Sequence, residues 1–190
     1  TRLYNNGTGS ISSDHSLGTV STSANLASAR LSKTITAVDG SGNGSFTLNG
    51  VSISYNVNSD SISSIISKIN KSAAGVTASY DSNNDRMVLT NNTTGDVGFG
   101  LSEDAGGFLD AVGLSMSSSG ASIIRGKNAE FSVDGGSTLT STSNTLTSDQ
   151  TGISGLSVTA TNEGSQTISV AANTDAMKSA IQSFIDKYNV

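Results

Sequence analysis

The chain of 190 residues has no cysteine, no proline, no tryptophan and a single histidine. Without cysteine there is no disulfide, no thiolate nucleophile and no cysteine-ligated zinc. Without proline, slow prolyl isomerisation cannot limit refolding. The lone histidine, His15, sits in Ser13-Asp14-His15-Ser16 between glycine-containing turns and reads as a solvated loop residue; neither a His-pair metal site nor a Ser-His-Asp triad can be assembled except through it. Charged residues are also scarce, at 13% against a usual share of about 25%. The net charge is −5 and the basic residues are scattered, so the clustered Lys and Arg that nucleic-acid phosphates require are missing. No apolar run approaches the roughly eighteen residues of a membrane span. The polar surface must therefore come from Ser, Thr, Asn and Gly.

What is present is strongly patterned between residues 46 and 89. Phe46, Leu48, Val51, Ile53, Tyr55 and Val57 alternate around Asn49-Gly50, the dipeptide best suited to a type I′ turn because both central residues need φ > 0. Isoleucines 62, 65, 66 and 69 then fall on one helical face, with Ser59 or Asp60 as the cap and Gly75 as the stop. A helix of about three turns follows from that spacing. Val76, Ala78 and Tyr80 alternate after it, Ser82 to Asp85 turn the chain, and Met87 and Leu89 alternate again. The unit reads hairpin, helix, hairpin, and places Ile65, Ile66 and Ile69 against one sheet formed by both hairpins.

Glycine- and serine-rich stretches at 40–44 and 115–120 bound this region, as linkers bound an inserted unit. Inside them, Gly107 to Val112 suits a short helix. Beyond them, Ala129, Phe131 and Val133 alternate before Asp134-Gly135, and Leu156, Val158 and Ala160 alternate before a turn at 162–164 that leads into Thr167 to Val170. This second unit reads as nearly all strand. Thr174 or Asp175 then caps a helix whose apolar positions Met177, Ile181, Phe184, Ile185 and Tyr188 recur at three- and four-residue spacing. No C-cap closes it, so it is expected to continue past the chain.

Candidate chemistry fails on inspection. Asp81-Ser82-Asn83-Asn84-Asp85 opens like an EF-hand calcium loop, but Arg86 stands where the sharp turn needs Gly and Asn92 where the bidentate ligand must be Glu. A hairpin turn explains the same residues, since Asn and Asp side chains bond their own backbone. Gly95 to Gly100 has glycine spacing without the lysine or the strand-to-helix context of a nucleotide loop, and reads as a loop between strands. Glu103 with Asp104, and Glu130, do not form the facing pair a glycosidase needs, because Glu130 lies in an alternating strand with its side chain directed away.

Two blocks carry a family resemblance. Ile69-Asn70 followed by Gly75-Val76-Thr77-Ala78 resembles the flagellin-hook IN repeat of bacterial flagellar axial proteins. Gly126-Lys127-Asn128-Ala129-Glu130-Phe131-Ser132-Val133-Asp134-Gly135, then Thr142 to Thr145, Gly152 to Val158, and Ile181 to Asn189, are similar in order and spacing to the second half of the flagellar filament capping family, the hook-associated protein 2 proteins. Leu3 to Ile11 is less specifically similar to the approach to their head domains.

The resemblance implies an α+β, mainly β fold: two β-rich domains, one inserted into the other. The expected division is 1–37 with 117–172 as a discontinuous head domain, 38–116 as the inserted IN-type domain, and 173–190 as the start of a stalk helix packed through Met177, Ile181, Phe184, Ile185 and Tyr188. It implies a non-enzymatic assembly protein of the extracellular flagellum tip, exported by the type III apparatus, without cofactor or metal. Its partners would be further copies in a ring, flagellin and neighbouring hook-associated proteins, with no nucleic acid and no membrane. The missing prolines would suit a chain that refolds after export. Another axial protein, such as a hook-filament junction protein or a flagellin, or a tip adhesin holding host glycans, remain the alternatives.

Overall fold

Asn49-Gly50 determines the first hairpin. In the computed structural model, which describes residues 7–13, 16–103, 106–115, 122–169 and 174–189, these two residues have φ of 49° and 82°, as a type I′ turn requires. In chain order the first part contains β1 (Thr8–Ser12), β2 (Asn43–Leu48), β3 (Val51–Asn56), α1 (Ile62–Lys71), β4 (Val76–Asp81), β5 (Arg86–Thr94), β6 (Leu101–Glu103), α2 (Phe108–Ala111) and β7 (Ser122–Ile124). The remainder holds β8 (Ala129–Phe131), β9 (Leu139–Ser141), β10 (Thr145–Leu146), α3 (Ser148–Thr151), β11 (Val158–Thr159) and α4 (Thr174–Tyr188). Among the described residues strand exceeds helix, 30% against 21%, in keeping with a mixed, mainly β class.

The two hairpins do not share a sheet, which corrects the reading of one sheet under the helix. β2 and β3 join β6 in the order β3-β2-β6, whereas β4 and β5 join β1 and β7 in the order β4-β5-β1-β7, all antiparallel. Each hairpin recruits its own third strand: Ile11 of β1 lies opposite Leu89, and Leu48 opposite Leu101 of β6. Helix α1 touches both β3 and β4.

Helix α1 is capped by Ser61, one residue later than expected. Its hydroxyl accepts from Ser64 N–H at 3.1 Å while the Ser61 N–H donates to Ser64 Oγ at 2.9 Å, a capping box built from two serines. Asp60 supports this start by accepting from Ser64 Oγ at 2.9 Å, Asn56 N–H at 2.8 Å and Lys68 Nζ at 2.7 Å. Gly75, at φ 67°, redirects the chain into β4 in a conformation that costs a side chain about 1–2 kcal/mol. The buried face is Ile62, Ile65 and Ile69; Ile66 is half-buried at the rim of the core, because only the first three share one narrow stripe of the helix.

These isoleucines join a core with Phe46, Leu48, Ile53, Tyr55, Met87 and Leu89. Phe108 at the start of α2 stacks on Phe46, with centroids 5.2 Å apart and planes at 14°, and tilts against Tyr55 at 5.7 Å. Ile11, Leu17, Leu26 and Ile35 are buried in the same cluster, so hydrophobic packing runs across the division that groups residues 1–37 with 117–172. Most of the 115–120 linker lies outside the described residues.

From β8 onward the strands are only two or three residues long and form two separate two-stranded pairs, β8 with β9 and β10 with β11. The reading of that region as nearly all strand is thus corrected: Thr167–Ser169 form no strand, and α3 interrupts it. There is little apolar surface to organise longer strands, the buried hydrophobic residues being Ala129, Phe131 and Leu146.

Candidate assembly surfaces

Asn70 of the Ile-Asn pair is a structural clasp. Ile69, only 1% exposed, anchors the last turn of α1 in the core, which turns Asn70 toward the neighbouring strand. Its Nδ2 donates to the Ala78 carbonyl at 3.0 Å and its Oδ1 accepts from the Ala78 N–H at 2.6 Å. The side-chain amide thus pairs with β4 as another strand's peptide group would. Gly75 and the buried Val76 deliver β4 to this position.

At the far end of β4, Asp85 ties the N-terminal segment to the β4–β5 turn. Its Oδ2 accepts from Ser16 Oγ at 2.7 Å, Gly18 N–H at 2.8 Å and Thr19 N–H at 2.7 Å, and Oδ1 accepts from the Tyr80 hydroxyl. Burial alone would raise this carboxyl, but the donors outweigh it and hold it down at about 2. Burial first, and the bond to Asp85 second, push the Tyr80 phenol up to about 12. Sequence reading missed this knot because its halves lie far apart in the chain. Asp81 completes an ordinary turn, accepting from Asn83 N–H at 2.9 Å and Asn84 Nδ2 at 2.6 Å.

The acidic residues weighed for catalysis have structural partners or none facing them. Glu103 accepts from the Leu109 and Asp110 N–H groups and so closes the start of α2. Glu130 is exposed between buried Ala129 and Phe131. His15 and Asp104 lie outside the described residues. An open depression of about 870 Å³ is lined by Asp39, Asn43, Tyr55, Asn56, Asp60 and Lys68 among others. Its polar groups bond one another: Asp39 accepts from Asn43 Nδ2 at 3.0 Å, and Lys68 Nζ reaches both Asp60 and the Ser54 carbonyl, the latter at 3.0 Å. Tyr55 is buried, so it offers no ring platform for a sugar. Among the described residues no cluster of His, Cys, Asp or Glu could hold a metal ion, and no helix is long and apolar enough to cross a membrane.

Gly126, which opens the Gly-Lys-Asn-Ala block, marks a tight backbone seam. A Cβ there would lie 2.1 Å from the Gly95 carbonyl oxygen and 2.5 Å from that of Gly7. Around it, Asp96 N–H donates to Asn128 Oδ1 at 2.8 Å, Arg125 pairs with Asp96, and Thr94 Oγ1 donates to the Thr142 carbonyl at 3.1 Å. The loop 95–100 therefore has a role, which is to receive this block.

A further set of large apolar residues faces outward. On α4, Met177, Ile181, Phe184, Ile185 and Tyr188 are 42–81% exposed, and Phe184 and Tyr188 stack on each other at 6.2 Å. Ile123, Ile124, Leu139, Ile153 and Ile168 are exposed as well. This arrangement offers apolar surface.

Comparison with known proteins points the same way. Residues 126–190 match the model of the flagellar hook-associated protein 2 C-terminus, and residues 34–93 that of the flagellin hook IN motif. Flagellar hook-associated protein 2 of Thermotoga maritima is 32% identical over 98% of this chain, and the chain spans 29% of that protein's length. The D2-D3 domains of the flagellar cap protein FliD from Serratia marcescens share the fold at a TM-score of 0.52 and 17% identity, over 77% of this chain and 78% of that one. Those from Escherichia coli do so at 0.50 and 22%, over 76% and 74%.

Proposed function

We propose that the chain, which is similar over 98% of its length to flagellar hook-associated protein 2 of Thermotoga maritima, forms the head portion of a flagellar filament cap, a structural part and not an enzyme. In this reading the head sits at the extracellular tip of the filament, and flagellin exported by the type III apparatus folds and is inserted beneath it. Further copies of the chain complete a ring, and neighbouring hook-associated proteins lie below. No cofactor takes part.

The observation that carries the proposal is the order of the two matched blocks within one chain: the IN motif occurs in several axial proteins, but here it precedes a hook-associated protein 2 C-terminal block. The apolar stripe of α4 supports it. Burying a side chain such as Phe184 or Ile185 is worth roughly 1.5–3 kcal/mol, and a stalk helix would gain this by packing on a second helix of the leg region.

Deleting the head segment from the full-length protein tests the role. Cells should then release flagellin into the medium instead of extending filaments. Filaments of normal length would refute it. Phe184→Asp in the full-length protein tests the stalk: motility should fall while the circular dichroism of the β-rich part is retained, and unchanged motility would remove the stripe from the account.

A further inference from the structure

We propose that helix α1 is an edge guard, with Asn70 as its principal residue, which keeps the outer strand of the larger sheet from pairing with a strand of a second copy of this chain. β4 ends the four-stranded sheet and β3 ends the three-stranded one. The Asn92 N–H to Gly75 O bond sets the alternation of the β4–β5 ladder, which leaves the peptide groups of Val76, Ala78 and Tyr80 directed away from β5. Asn70 occupies both groups of Ala78, the middle member of that row.

The same helix treats β3 alike. In a two-residue hairpin the residues flanking the turn form a hydrogen-bonded pair, so Ser52, Ser54 and Asn56 present their peptide groups outward. Lys68 takes the Ser54 carbonyl, and Asp60, just before the helix, takes the Asn56 N–H at 2.8 Å. One short helix and the residue leading into it therefore occupy outward backbone groups on the edges of two sheets.

Such a device is needed here more than in most proteins. Edge strands are usually blunted by charge or proline, and Val76 to Tyr80 contain neither. The segment is instead an alternating, uncharged stretch of the kind that recruits another strand. A second copy is the occupant it fits, since it brings the same uncharged strand at the same concentration.

Asn70→Ala tests the inference, read by sedimentation velocity over a range of concentrations and by hydrogen exchange at the Ala78 amide. The amide should lose protection and the protein should shift from the parent's sedimentation to larger, concentration-dependent species. Adding Ser79→Lys, a charge on the exposed face of β4, should return it to the parent's behaviour without restoring protection at Ala78. Should Asn70→Ala fail to fold, Asn70→Ser takes its place, because its shorter hydroxyl falls short of both Ala78 groups while a neutral polar residue is kept at the exposed position. A folded variant with an unprotected Ala78 amide that sediments as the parent would overturn the proposal. So would association that Ser79→Lys leaves unchanged, since a residue of merely stabilising role would produce that pattern.

Discussion

Every member of the continuous hydrophobic core lies between Ile11 and Leu114, whereas the large hydrophobic side chains exposed among the described residues all lie between Ile123 and Tyr188. The first region closes on itself. Two antiparallel sheets, the larger one edged by β7 from the second region, and α1 enclose three stacked or tilted rings and the isoleucine stripe, with clasps at Asn70 and Asp85 holding the rim. The second region has short strands in pairs, a few buried residues, and a helix whose apolar stripe faces outward. Isolated two-stranded ribbons are marginal in water, so the second region leans on the seam at Gly126 and, in the proposed cap head, on neighbouring surfaces that a low share of charge lets it meet without a large desolvation cost.

This contrast can be broken most directly in the core. Ile65→Ala should cost about 2–5 kcal/mol, the usual range for truncating a buried isoleucine, and denaturant unfolding followed by circular dichroism should show it; a change within error would mean that the α1 face is not what closes the first region. Gly126→Ala should cost about 1–3 kcal/mol, since the added methyl meets backbone and not a movable side chain. It should also loosen the seam, seen as faster hydrogen exchange at Asp96.

Smaller effects belong to the Asp85 knot. Its carboxyl is held at about 2 in the folded state, below the unfolded value of about 3.9, so its contribution is present above pH 4 and is lost as pH falls from about 4 to about 2. The Tyr80 phenol, pushed up to about 12, works in the opposite sense, its contribution fading as pH rises from about 10 toward 12. Asp85→Asn should lower the thermal midpoint at pH 7 and flatten the acid limb of the pH profile. An acid limb of unchanged slope would remove the knot from the account. Smallest of all, Phe184→Ala in this chain alone should stay within about 0.5 kcal/mol, as exposed positions do.

What could be read from the sequence was local. Asn49-Gly50, the α1 isoleucines, Gly75 and the α4 stripe each announce themselves within a few residues, and the structure has the corresponding turn, helix, stop and exposed helix. What could not be read was which strands meet. Nothing near Ile11 says that it faces Leu89, and nothing near Asp85 says that Ser16, Gly18 and Thr19 will donate to it. Helix α3 is a different case, for its signal is local. Thr147 and Gln150 have the spacing of a capping box, Thr147 N–H donates to Gln150 Oε1 at 2.8 Å, and Gly152 ends the turn at φ 72°. The Ile-Asn pair is legible as a family mark, and the pairing of Asn70 with both peptide groups of Ala78 explains why the second residue is an amide.

In the proposed cap head, the first region stands by itself while the second is completed by neighbouring parts of the assembly. Native-state hydrogen exchange, recorded for this chain and for the full-length assembled protein, tests it most directly. Amides of β2 to β5 and α1 should be equally protected in both, and those of β8 to β11 and α4 should gain protection only in the assembled protein. Equal protection of α4 and the later strands in the two samples would contradict it.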